Sequence, residues 1–343
     1  MHKSSKKITN KPGVSAKTIL AVGSLTLLLT ACGGGKADMN TNAKVEQTSS
    51  SAVESNEIVF LPDDLPKYLL NGNYKEMYAH FSQPLKDEVS EAELAETAKE
   101  FTKDIRTLNK ASVMQLNGFD RRTWVNDAGN KGLIGMFDPD GTLSLIQIQE
   151  LTSSPETDTK LSKHEYALPF QGDWFVFWGG KNVLVNYHYE VEIQRYAYDF
   201  IQAKDNHSYK GDPLKNKSYY AFGKNILAPA DGTIVSVVND IKDNEPVGVM
   251  NPNQATGNNV VIDHGGEYSH LAHLKKGSIT VKPGDKVKQG DIIGLTGNSG
   301  NTSEPHLHFQ ISDGVDLFTS RSIPVRWEYG LNPIQGETIT ASE

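Results

Sequence analysis

Apolar side chains fall along this chain in blocks with different periods. Residues 19–29 form one largely apolar run without a charge. Residues 33–56 are Gly, Ser, Thr, Asn, Ala and scattered charges with almost no large apolar side chain. Nothing in that second stretch can bury a core, so it reads as a flexible tether. Helical spacing begins after it. Leu65, Leu69, Tyr74, Met77, Tyr78 and Phe81 predict a helical region broken near Asn71-Gly72-Asn73. Ser90 with Glu93 makes a capping box ahead of Leu94, Ala98, Phe101 and Ile105, which recur at helical spacing. Two strand-like runs, residues 133–137 and 143–148, are joined by Asp138-Pro139-Asp140-Gly141, a strong turn signal.

Residues 57–152 therefore read as a small α+β domain of helices plus an antiparallel sheet. Helices first, then a meander with an Asp-Gly turn, resembles the cone-shaped fold of nuclear-transport-factor-2-like accessory domains. His80, Trp124 and the aromatic residues of this region read as core or surface, and no chemistry is evident there.

From residue 161 the pattern changes to short β-runs punctuated by Gly, Pro and Asn, after a cluster of Trp174, Phe175, Phe177 and Trp178. Regular strand spacing without long helical patterns predicts a mainly-β domain over residues 161–343, built on an antiparallel sheet.

The start of the chain reads as a leader. Lys3, Lys6, Lys7, Lys11 and Lys17 precede the apolar run, and Leu29-Thr30-Ala31-Cys32 closes it with small residues before the only cysteine. This is a signal-peptide pattern over residues 1–31, with an apolar run short for a membrane span. Leu-Thr-Ala-Cys resembles the lipobox of bacterial lipoproteins. That resemblance implies a lipidated Cys32 as mature N-terminus, residues 32–56 as the anchored tether, and an extracytoplasmic protein held at the bacterial cell membrane. No cysteine remains for a disulfide or a thiolate metal site.

The 343 residues carry 34 Lys and Arg against 42 Asp and Glu. Loss of residues 1–31 removes five lysines and no acid, leaving 29 against 42, a formal charge of −13. That argues against nucleic-acid binding and supplies no polybasic membrane patch.

The candidate chemistry lies in the second block. In Pro305-His306-Leu307-His308-Phe309, a period of two points both imidazoles to one strand face and the apolar side chains to the other. Neutral imidazole suits zinc, and it also titrates near neutral pH. Upstream stand Asn258-Asn259-Val260-Val261-Ile262-Asp263-His264-Gly265, then Ser269-His270-Leu271-Ala272-His273-Leu274, then Thr296-Gly297-Asn298-Ser299-Gly300. His264 reads as a turn residue. His270, three before His273, is expected on the opposite strand face and in a structural or solvated role.

This ordered set, over about residues 196–311, resembles the lysostaphin-type (LytM-like) zinc endopeptidases that cut peptidoglycan cross-links. The resemblance implies that His308 ligates Zn2+ while His273 and His306 flank the catalytic water. It implies Asp199, in Arg195-Tyr196-Ala197-Tyr198-Asp199-Phe200, as a further ligand, and peptidoglycan peptides as substrate. The family's other ligand histidine would stand at position 195, where this chain has arginine, which cannot coordinate zinc. His188 can reach the metal from an adjacent strand or turn, and His207 is the alternative donor. On the other reading, the site has lost a ligand and the domain is a catalytically inactive wall-binding or regulatory module. The Val-x-x-Gly-Asp-x-Val-x-x-Gly pattern of residues 281–290 also resembles the half-barrels of lipoyl and biotin carriers, but no lysine sits in the expected modification turn. No serine-hydrolase elbow or phosphate loop is present.

Overall fold

The structure, a computed structural model, describes residues 18–22 and 60–341. Cys32 and the tether lie outside the described residues. Thr18–Val22 (β1), at the start of the apolar run, lies antiparallel against Leu143–Glu150. Among the described residues, no helix is long and apolar enough to cross a membrane.

Four helices open the folded part: α1 (Leu65–Asn71), α2 (Tyr74–Ala79), α3 (Gln83–Glu88) and α4 (Glu91–Thr102). The break between the first two is Gly72, at φ 75°, whose N–H closes the turn on Leu69 and Tyr68 carbonyls. That left-handed cap is where glycine costs least. Ser90 caps α4 reciprocally: its Oγ accepts from the Glu93 N–H at 3.3 Å, and Glu93 Oε2 accepts from the Ser90 N–H at 3.0 Å. Strands β2 (Leu108–Leu116), β3 (Phe119–Asn126), β4 (Lys131–Phe137) and β5 (Leu143–Glu150) follow as an antiparallel meander. One face packs the helices around Leu65, Met77, Phe101, Trp124 and Leu133. Trp124 is buried, and His80 stacks on the Phe60 ring at 4.4 Å.

The β2–β3 hairpin is an element the sequence pattern did not predict. It turns on Asn117-Gly118, both at positive φ, and its outer face meets the second half of the chain. Leu116 packs with Phe175 and Ile201, and Ile134 with Leu184. At this junction Arg121 is buried. It donates to Leu184 O at 2.6 Å, to Thr123 Oγ1 at 3.0 Å and to Gln335 Oε1, and lies over the Trp178 ring. Burial lowers the pKa of its guanidinium to about 10, so it stays charged.

After a short helix, α5 (Pro155–Asp158), come β6 (Glu165–Tyr166), β7 (Gly172–Trp178), β8 (Tyr198–Ile201), β9 (Asn225–Leu227), β10 (Gly232–Val238), β11 (Asn258–Asp263), β12 (Tyr268–Leu274), β13 (Lys286–Val287), β14 (Ile292–Leu295), β15 (Leu307–Ser312), β16 (Ser322–Ile323), β17 (Arg326–Trp327) and β18 (Thr338–Ala341). The main sheet runs β13-β10-β11-β12-β15-β8-β7-β18, with β16 added to β15. Its pairs are antiparallel, and β15 lies at the centre between β12 and β8. Leu307, Phe309 and Ile311 are fully buried on one face of β15, against Leu271, Phe200 and Trp327. Burying a side chain of that size contributes about 1.5–3 kcal/mol. That packing fixes the opposite face of β15, which carries His308 and Gln310.

A candidate metal centre

Cross-strand register assembles the site. His308 of β15 lies opposite Asp199 of β8 and opposite Ala272 of β12. His188 comes from outside the sheet, on the 3-10 turn Tyr187–Glu190. Asn186 caps that turn: its Oδ1 accepts from the His188 N–H at 3.3 Å, and its buried Nδ2 donates to Ala197 O at 3.0 Å and Gly180 O at 3.1 Å. One side chain thus ties the turn to the segment leading into β8.

His188, Asp199 and His308 each offer one ligand atom, all within 4.8 Å of one another, and all three residues are buried. His188 Nε2 is 3.1 Å from Asp199 Oδ2, and His308 Nδ1 is 3.0 Å from Asp199 Oδ1. The far ring nitrogens have their own partners. His188 Nδ1 is 3.0 Å from Gln194 Oε1, and His308 Nε2 is 3.3 Å from Gln310 Oε1. Gln310 is held with its oxygen toward the ring because its Nε2 donates to Ile193 O at 2.9 Å. Each imidazole thus has one ring nitrogen toward the Asp199 carboxylate and the other toward a glutamine oxygen. Two imidazole nitrogens and a carboxylate gathered out of water fit a divalent cation, and two histidines with one carboxylate fit zinc. Burial raises the pKa of Asp199, but the facing His188 and His306 hold it well below the ordinary carboxylate range.

His273 and His306 border this cluster, their rings 4.8 Å apart. Each is anchored through Nδ1 on a backbone carbonyl: His273 donates to Ser299 O at 2.8 Å, His306 to Glu304 O at 2.9 Å. A carbonyl can only accept, so Nε2 is the free acceptor on both rings. His306 Nε2 lies 3.6 Å from Asp199 Oδ1. Burial pushes the pKa of His273 well below the usual imidazole range, and the neighbouring His306 and His308 add to this.

The expectation that His270 and His273 point to opposite faces fails. His273 sits at φ 61°, just past Ala272, the last residue paired with β15. This left-handed residue breaks the alternation and swings its ring toward His306, a strained conformation of the kind found at functional sites. His270 keeps the alternation and shares the face of His308 and Gln310, its Nε2 2.6 Å from Ser312 Oγ. His264 spans a turn between Asp231 O and Ser269 Oγ. His207 is exposed in its loop, hydrogen-bonded to Asp205 O, and is not among the clustered donors. Arg195 is directed elsewhere: its Nε donates to Tyr189 O at 3.1 Å and its guanidinium lies 5.7 Å from the Tyr189 ring centre. Sequence reasoning missed Gln194, Gln310 and Asn186. Gln310 was accessible, since it shares the period-two face of His306 and His308.

Residues 218–318 match the model of Peptidase family M23. That span includes His273, His306 and His308, while His188 and Asp199 precede it. Over that span the chain is similar to peptidase family M23. An uncharacterized metalloprotease of Buchnera aphidicola is 35% identical over 101 residues, 29% of this chain and 25% of that protein. Peptidoglycan DD-endopeptidase ShyA of Vibrio cholerae is 50% identical over 56 residues, 16% of this chain and 13% of its own. The matches therefore span a quarter or less of these curated relatives. Lysostaphin from Staphylococcus simulans overlaps 47% of this chain and 52% of its own at 20% identity and a TM-score of 0.28.

Proposed function

We propose that this protein is a zinc-dependent endopeptidase hydrolysing peptide cross-links of bacterial peptidoglycan. The observation that carries the reading is the convergence of the buried His188, Asp199 and His308, each imidazole set between the carboxylate and a glutamine oxygen. These three residues would hold the metal. When bound, zinc supplies Lewis-acid polarisation of a scissile carbonyl and acidifies a coordinated water toward pKa ~7. The chain's own contribution is the pair of free Nε2 atoms on His273 and His306. One accepts a proton from the attacking water and then gives it to the leaving amine, and the other, having taken a proton from solvent before the attack, donates to the developing oxyanion. General acid–base help of this kind is worth about 100- to 10,000-fold. Low basicity at His273 favours a ring that returns its proton readily to the leaving amine.

On this reading His188 does the work of the histidine that Arg195 replaces. Arg195 also motivates the alternative, a non-catalytic wall-binding or regulatory module. Zinc content and release of soluble wall peptides, measured on the wild-type chain and on His308→Ala, separate the two. Stoichiometric zinc and peptide release, both lost in the variant, support the enzyme; a wild-type chain with neither leaves only the binding module.

The same proposal places the protein outside the cytoplasm, lipid-anchored through Cys32, with residues 57–152 as a nuclear-transport-factor-2-like accessory domain. Loss of lipid labelling and release into the medium in Cys32→Ala test the anchor.

A further inference from the structure

Strand β8 has a second face. Asp199 is turned to the candidate metal centre, so alternation turns Tyr198 away from it. On that far side lies a pocket of about 390 Å³, lined among others by Lys181, Tyr196, Tyr198, Arg326, Trp327 and Leu331. The cavity at the metal centre itself is about 70 Å³. Ligand pockets of small molecules run from roughly 300 to 1,000 Å³, mostly apolar with a few placed polar groups.

Three features of this pocket lack a purely structural account. Trp327 Nε1 is buried and has no hydrogen-bond partner. Tyr198, which also lines the pocket, is 8% exposed. Buried donors without acceptors are rare because each forfeits its bond to water. The charged lining is two cations, Lys181 and Arg326, and no acid, in a chain where acids outnumber bases 42 to 34. Among the described residues neither cation is in a salt bridge; Lys181 Nζ donates to Asp158 O at 2.6 Å and Arg326 reaches Lys163 O at 3.5 Å, so both have carbonyl partners only. Finally, Tyr329 stands 87% exposed at φ 58° between the lining residues Trp327 and Gly330. A bulky residue in the left-handed region is a genuine outlier.

We infer that this pocket is a second ligand site, taking a carboxylate carried on a ring- or dipeptide-sized body with an apolar face. Arg326 and Lys181 meet the carboxylate, the guanidinium fork matching its two oxygens. Trp327 Nε1 and Tyr198 donate to further acceptors, and the rings of Tyr196 and Tyr198 cover the apolar face. In a wall fragment this chemistry has two sources: the lactyl carboxylate of an N-acylated amino sugar, or the C-terminal carboxylate of the peptide. The choice of wall fragments rests on the hydrolase reading; the charge and the unpartnered indole N–H do not. A site here would hold the wall on the side opposite the reaction.

The test is binding to the full chain, by calorimetry and by the indole N–H shift of Trp327. N-acetylmuramic acid and D-Ala-D-Ala are the probes, and N-acetylglucosamine is the uncharged control. All are measured on His308→Ala, so that binding is read without hydrolysis. The expected result is that one carboxylate probe binds, moves the Trp327 N–H, and weakens at least tenfold in Arg326→Ala and in Trp327→Phe. Arg326 is exposed, so its variant keeps the fold even if the tryptophan variant does not. Which probe binds identifies the source. No binding by either, equal binding of the control, or affinity unchanged in Arg326→Ala overturns the inference whether or not the enzyme cuts.

Discussion

Replacing Glu304 with glutamine removes a carboxyl group that the fold buries without satisfying. Glu304 Oε1 has no hydrogen-bond partner, and Oε2 is only 3.4 Å from Ser208 Oγ. Burial pushes its pKa from 4.5 up to about 7, with the Ser208 bond opposing weakly. The folded protein thus prefers the neutral acid, while the unfolded chain ionises near pH 4.5. A raised folded-state pKa gives a stability contribution that is complete below pH 4.5 and is lost as pH rises through 7. At 1.36 kcal/mol per unit, the loss is about 3 kcal/mol. Glutamine keeps the shape and cannot ionise. Glu304→Gln is therefore close to wild type at pH 4.5 and gains on it by about 3 kcal/mol between pH 5 and 8. Urea unfolding of both proteins across that range, with chelator present to remove metal linkage, reads the difference directly. Taking the difference cancels the histidines, whose titration is common to both. A stability difference that stays flat from pH 5 to 8 would refute the reasoning. The group also bears on the site, because the Glu304 carbonyl anchors the His306 ring.

Gly257→Ala would place a Cβ 2.0 Å from Ser299 O, the carbonyl that orients His273, on a residue at φ 57°. We expect a loss of about 1–3 kcal/mol in thermal unfolding and a larger proportional loss of hydrolysis than of stability. Arg121→Ala strips the buried guanidinium from Leu184 O, Thr123 and Gln335. It should cost about 3 kcal/mol or more in denaturant unfolding, and lysine, without the planar fork, should recover little. Gln194→Ala leaves all three candidate ligands but frees the far nitrogen of His188. Zinc affinity, read by chelator competition, should fall about 10- to 100-fold.

How far the sequence speaks depends on whether the determining contacts are local. The α4 capping box, the break at Gly72 and the Asp138–Gly141 turn are set by residues within a few positions, and each is found where the pattern put it. The β2–β3 hairpin escaped notice although Asn117-Gly118 is a hairpin signal. Its strands carry Lys110, Asp120, Arg121 and Arg122, and Arg121 is buried by Gln335, 214 residues away. The strand of His308 was legible from period two alone, with His306 standing just before its first residue. The face of His273 was not, because a single left-handed residue overrides alternation. His188 lies eleven positions from Asp199 on a separate turn, and only tertiary closure by Asn186 brings the two together. The second pocket gave no sequence signal at all: its lining comes from segments near 161, 180, 196 and 326.

The central claim is that His188, not the residue at 195, completes the metal centre. Its most direct test is zinc stoichiometry and affinity of the purified chain beside His188→Ala and Arg195→Ala. The account predicts one tightly held zinc per wild-type chain, lost in His188→Ala together with peptidoglycan hydrolysis and kept in Arg195→Ala. Zinc bound with unchanged affinity in His188→Ala would contradict it.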